Sequence, residues 1–194
     1  MLKYLTLCFV ALAGYYAWTI YPIKHGPGKI APEKPDIEYV RNHPPIQYQN
    51  NVLKPVVKFE GKVRILSKKL YLFDNRKKIS PVDLLIGWGD MSDERNIDFI
   101  NFHLEDRYFR MDFVKPPITK EEMFAQMDLL HIIPSDEELL KKSRGLRSGN
   151  IVNIEGLFVD VESGDTYNWS TELYNNDNTR LENIVLWVTK LEVL

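Results

Sequence analysis

"ISPVDLLIGWGDMSDE", residues 79–94, is the stretch on which the fold turns. Ser80 suits a helix N-cap, Pro81 the first helical position, and Asp83 the first turn, where a carboxylate complements the helix dipole. Val82, Leu85 and Ile86 then make an apolar stripe over about two turns. Gly87 or Gly89 supplies the permissive backbone that ends the helix, Trp88 is placed to plug a core, and Ser92 caps again before Asp93 and Glu94. The stretch therefore predicts a short capped helix in which every residue has a structural role. The functional alternative is a groove lined by Trp88, with Asp90 and Ser92 at its rim.

Working outward, strands surround this segment. Val57, Phe59, Val63 and Ile65 alternate with Lys58, Glu60, Lys62 and Arg64, the period of a half-buried strand, with Gly61 as a bend. Ile100, Phe102 and Leu104 share one parity and Phe109, Met111 and Phe113 the other, so Glu105-Asp106-Arg107 reads as a hairpin turn. Thr119 and Glu122, then Ser135 and Glu138, form two capping boxes, which predict helices near 120–130 and 136–144. Strands over 151–161, 166–173 and 184–193 follow, the first pair joined at Glu162-Ser163-Gly164-Asp165. The order is strand, short helix, hairpin, helices, hairpin, strand. It predicts an α+β fold: a small, partly closed OB-like β-barrel with peripheral helices, occupying residues 56–194.

The N-terminus sets the expected address. Between Lys3 and Lys24 runs "YLTLCFVALAGYYAWTIYPI" without a formal charge, and as a helix it covers about 30 Å. Tyr4 at one end and Trp18 and Tyr21 at the other suit a membrane interface. Residues 1–22 are therefore expected to be a transmembrane anchor, with residues 4–22 in contact with the bilayer. The rival is a signal peptide cleaved after Ala11-Leu12-Ala13. Residues 22–55 hold seven of the eleven prolines, which makes 23–55 a Pro-rich spacer.

Composition narrows the function classes. Apolar residues at 44% and aromatics at 12% suffice for a packed core. Basic and acidic residues, 25 and 27, are scattered in both signs, which argues against nucleic acid as a partner. Cys8 is the single cysteine, so an internal disulfide and a multi-cysteine zinc site are excluded.

The segments "HGPGKIAP", "VRILSKKLYLFD", "SPVDLLIGWGDMSD", "HIIPSD", "SGNIVNIEGLFVDVE" and "YNWSTEL" together resemble a family of bacterial membrane-anchored envelope proteins. The resemblance spans about residues 25–194. It implies placement in the bacterial envelope and one domain, and it carries no activity. Because the apolar run begins almost at Met1, like a signal, the expected topology is single-pass in the inner membrane with the domain on the periplasmic, extracytoplasmic side. Where the family has an Asp-Asp-Thr-Gly…Cys-Glu segment, this chain reads "NNDNTRLEN", so no role placed on that cysteine transfers.

Catalytic signatures are absent from the sequence. His25 and His43 fall in the spacer, His103 in a strand, and His131 at the expected exit of a helix. No HExxH, no histidine pair at helical spacing and no calcium loop occurs, so neither metal nor cofactor is expected. Ser80, Ser92, Ser135 and Ser170 lie outside any G-x-S-x-G elbow, although His131 with Asp83 or Asp90 and Ser170 would have the composition of a triad. Tyr71, Phe73, Tyr108, Tyr167 and Trp169 are expected mainly in core packing, with stacking on a glycan or peptide as the alternative. The candidate ligand-binding set is Trp88, Asp90, Ser92, His131 and Trp169. The chain is thus expected to be a non-enzymatic binding or scaffold domain for an envelope protein or cell-wall component. A hydrolase acting on an envelope polymer through His131 is the alternative.

Overall fold

Val82–Gly87 forms a β-strand, not a helix, and every one of its residues is buried. The computed structural model describes residues 2–73, 75–115, 118–163, 167–171 and 184–194. In chain order it contains helix α1 (Leu2–Ile20) and strands β1 (Asp36–Tyr39), β2 (Ile46–Tyr48), β3 (Asn51–Leu70) and β4 (Val82–Gly87). A 3-10 turn (Gly89–Ser92), α2 (Glu94–Ile97), β5 (Ile100–Glu105), β6 (Tyr108–Phe113) and α3 (Lys120–Phe124) follow. The chain continues through β7 (Met127–Pro134), α4 (Glu137–Gly145), β8 (Ile151–Ser163), β9 (Tyr167–Trp169) and β10 (Ile184–Val193).

Pairing runs β3–β4–β7–β10–β8 and returns from β8 to β3, so the sheet curls into a ring. All of these contacts are antiparallel except β7 with β10, which is parallel. The protein is α+β, with a mostly β core, a ring-like, partly closed sheet and few helices. Side chains of alternating parity point inward: Val57, Phe59, Val63 and Ile65 from β3, Val82, Leu84 and Ile86 from β4, Leu130 and Ile132 from β7, Ile154 and Phe158 from β8, Leu186 from β10. Trp88 joins this core at 2% exposure, as expected of a plug. Gly156 allows the closure, since a Cβ there would stand 2.2 Å from the Trp187 carbonyl oxygen.

The outer faces of β4 and β7 are also covered, which explains the misread helix. Leu85 and Leu129 pack with Met91, Ile100, Leu104, Met123 and Met127 beneath the β5–β6 hairpin and α3. Ile133 packs with Leu53, Val161, Trp169 and Val185. A strand buried on both faces reads as a continuous apolar run and loses the period of two. The same cause misplaced the expected helix 120–130: α3 ends at Phe124, and 127–134 is the strand β7. His131 therefore lies within a strand rather than at a helix exit.

Local signals fared better. Thr119 accepts from the Glu122 N–H while the Glu122 carboxylate accepts from the Thr119 N–H, the expected capping box. The second helix starts one residue later than its box implied, because Asp136 rather than Ser135 accepts the Leu139 N–H, at 2.8 Å. Of the expected 166–173 strand, Tyr167–Trp169 forms β9 and 170–171 are outside it, while 164–166 and 172–183 lie outside the described residues.

The segment expected as a spacer lies along the barrel. β1 and β2 pair with β3, and Ala31 is fully buried. Ile23 N–H donates to the Ser148 carbonyl at 2.8 Å, and a Cβ on Gly149 (φ +91°) would come within 1.9 Å of the Ile23 oxygen. α1 exposes apolar side chains such as Tyr4, Leu5, Leu7, Phe9, Val10 and Leu12. The Arg147 guanidinium stacks 4.7 Å above Trp18 and holds its end. Among the described residues no helix is long and apolar enough to cross a membrane, so the expected transmembrane anchor is not found.

Candidate functional site

The register of β4 against β7 sets Asp83 directly opposite His131. Both point outward, out of phase with the core positions, into the space between the two outer apolar clusters. The His131 Nδ1–H donates to Asp83 Oδ1 at 2.9 Å. The acceptor-only carboxylate fixes the proton on that nitrogen. Arg107 Nη1 donates to the same oxygen at 2.7 Å, while Asp83 Oδ2 is buried without a hydrogen-bond partner among the described residues.

Arg107 comes from the tip of the β5–β6 hairpin. Glu105 pairs with Tyr108, so Asp106-Arg107 is a two-residue loop, and both residues have positive φ (49° and 68°) as a type I′ turn demands. That conformation costs a non-glycine residue of order 1–2 kcal/mol. Here the guanidinium is clamped in compensation: Nη2 donates to the Ser80 carbonyl at 2.8 Å, and the plane lies 3.7 Å from the Tyr71 ring centre. Arg107 N–H donates to the Tyr71 hydroxyl at 3.1 Å. Burial, and next the Asp83 charge, hold the Tyr71 phenol above its ordinary pKa, so it remains protonated. Trp169 closes the cluster, 4.8 Å from the His131 ring and beneath the Arg76 guanidinium at 4.5 Å.

Two of the sequence candidates, His131 and Trp169, thus meet. Trp88, Asp90 and Ser92 lie past the other end of β4, in a different set of contacts. Asp90 is paired with Lys29 at 2.9 Å. The Ser92 hydroxyl accepts the Ala31 N–H at 3.1 Å and donates to the Gly89 carbonyl at 2.7 Å. Asp90 and Ser92 fasten the 23–35 strap to the barrel, and Trp88 fills the core. Neighbouring Asp93 accepts from Gly28 N–H and from Arg95.

The Arg95 guanidinium first, and these N–H groups next, hold the Asp93 carboxyl well below the usual range. A depressed carboxyl contributes stability above its unfolded pKa of ~3.9 and loses it as pH falls further. Asp93→Asn is expected to flatten the acid limb of the stability curve below about pH 4, measured by urea unfolding across pH, and to leave the slope near pH 7 unchanged.

Comparison with family models, curated proteins and solved structures returns no match to this chain.

The side chain that sequence reading passed over is Arg107, while Tyr71, named only within the aromatic set, is its stacking partner. An arginine in a tight turn, where Asn-Gly is usual, was the available signal for it. Ser80, read as a helix cap, anchors Arg107 instead. Of the aromatic set, Trp169 is buried, whereas Phe73 and Tyr108 are exposed and do not pack in the core. Tyr71 also borders a cleft of about 380 Å³ between the 71–81 loop and α4, lined by Tyr48, Lys77, Lys78, Glu137 and Arg144 among others. A second cleft of the same size lies beside Lys24, Arg64, Glu94 and Asp98. Among the described residues, no three His, Cys, Asp or Glu side chains are grouped to hold a metal ion.

Proposed function

We propose that the protein is a binding domain of the bacterial envelope, built on an OB-type barrel, that takes its partner at the end marked by the 71–81 loop. The strand ring supports the barrel assignment: three strands, helix α4, two strands, closed by pairing of the first with the fourth. OB-type barrels bind ligands on the face of their second and third strands and the flanking loops. Here that face carries Asp83 and His131, and the flanking segments are 71–81 and the region of β9.

The observation that carries a binding role is the use of the buried charges. Asp83 and His131 are each about 1% exposed and lie under Arg107, so they hold the hairpin and the loop in place while the adjacent cleft stays open. The hydrolase alternative draws on the His131–Asp83 hydrogen bond, but a base in that position is closed to substrate, which makes it the weaker reading. Apolar exposure along α1 supports attachment to a lipid surface, in keeping with the envelope resemblance.

A photo-crosslinking residue at Phe73, which is 93% exposed, tests both points in the full chain expressed in bacteria. A discrete adduct in the membrane fraction is expected from position 73 and not from exposed Glu33. Full-length protein found only in the soluble fraction, or adducts identical at both positions, would overturn the proposal.

A further inference from the structure

We propose that the cleft between the 71–81 loop and α4 is a phosphate site, taking a phosphate monoester or an equivalent dianionic headgroup. The inference rests on the binding-domain reading and adds the chemistry of what is bound. The two clefts of about 380 Å³ differ in charge balance. In the first, Lys24 is matched by Asp98 at 2.9 Å and Arg64 by Glu94 at 2.6 Å, so its ions are spent on one another. In the second, among the described residues, Lys77, Lys78 and Arg144 share the lining with a single carboxylate, Glu137, and the Lys77 ammonium also donates to the Leu72 carbonyl. Among the described residues no ion pair joins any of the three to an acid. Among the described lining residues two positive charges are therefore in excess, and a phosphate monoester carries about −1.5 to −2 near pH 7.

The remaining walls suit the same ligand. Tyr48 and Tyr71 line one side of the cleft with aromatic rings. The Arg144 fork supplies paired donors of the geometry that phosphate oxygens accept. Pro81, Pro134 and Leu140 give an apolar wall for whatever carries the phosphate. The site is also held in place. Lys68 Nζ donates to the Arg144 carbonyl at 2.6 Å and secures the end of α4, while Arg107 secures Tyr71 and the loop. Volume and lining match a small-molecule site.

The test uses the full chain in detergent, titrated with inorganic phosphate at constant ionic strength set by chloride. Saturable binding is expected, weakened at least tenfold by Lys78→Glu and by Arg144→Glu, and less than twofold by Lys62→Glu on β3. Equal melting temperatures verify that the variants fold. Competition then separates sources: displacement by vesicles of phosphatidylcholine with phosphatidic acid assigns the phosphate to lipid, and displacement by glycerol 3-phosphate alone assigns it to a soluble molecule. Absence of saturable phosphate binding, or equal weakening by Lys62→Glu, would overturn the site. A crosslink at position 73 without phosphate binding would leave the binding domain standing and remove only this inference.

Discussion

Arg107→Ala is expected to destabilise the protein by about 3–5 kcal/mol, the usual cost of stripping one partner from a buried ion pair. The magnitude follows from burial: Arg107 and Asp83 side chains are 7% and 1% exposed, so water does not replace the lost guanidinium. The orphan carboxylate would keep one hydrogen bond, from His131. Backbone strain at φ 68° would also lose the part of its compensation that the guanidinium supplies, leaving the N–H bond to the Tyr71 hydroxyl. Asp83→Leu combined with Arg107→Met should recover only part of the loss: removing both charges removes the desolvation cost with the attraction, but the buried His131 N–H loses its acceptor. Urea unfolding measures all three proteins. If the single variant fell by less than about 1 kcal/mol, the clamp assigned to Arg107 would be wrong. Hydrogen exchange adds a local readout, with faster exchange expected in β5 and β6 before the rest of the barrel.

Phe158→Ala is expected to cost about 3–5 kcal/mol by a different route, the cavity left when a buried ring is removed. Phe158 is fully buried, and its ring stands 5.0 Å from that of Phe59 across the barrel interior. It sits on β8, in register with Val57 of β3 on one side and Leu186 of β10 on the other, so the void opens where the ring closes. Neighbours there belong to paired strands and have little freedom to collapse inward. Phe158→Leu should recover more than half of the loss. A thermal melt that moved by only a degree or two for Phe158→Ala would mean that the barrel centre is loosely packed.

The sequence revealed those parts whose signals are local. The β5–β6 hairpin was legible from a parity switch, the Thr119 cap from a four-residue pattern, and β10 from its apolar run. β4 and β7 were not, because covering both faces erased alternation, while Ser80, Pro81 and Asp83 happened to imitate a helix start. Their true roles depend on Arg107, a residue on a later hairpin, and no spacing rule connects them. The candidate site was half legible for the same reason. His131 and Trp169 stand out by type, and Asp83 is one of the two acids the sequence offers His131, although its place in the false helix gave no reason to prefer it to Asp90. Trp88 packs in the core, and Asp90 and Ser92 secure the strap.

The parallel contact between β7 and β10 has a kinetic consequence. Leu130 finds Ile184 only after most of the chain has been made, and such distant pairings pay loop-closure entropy before any contact rewards them. During synthesis, β7 would wait with one edge bare until β10 leaves the ribosome, a state prone to intermolecular pairing. Expression yield should therefore respond strongly to holdase chaperones and to growth temperature, even for variants whose final stability is unaltered.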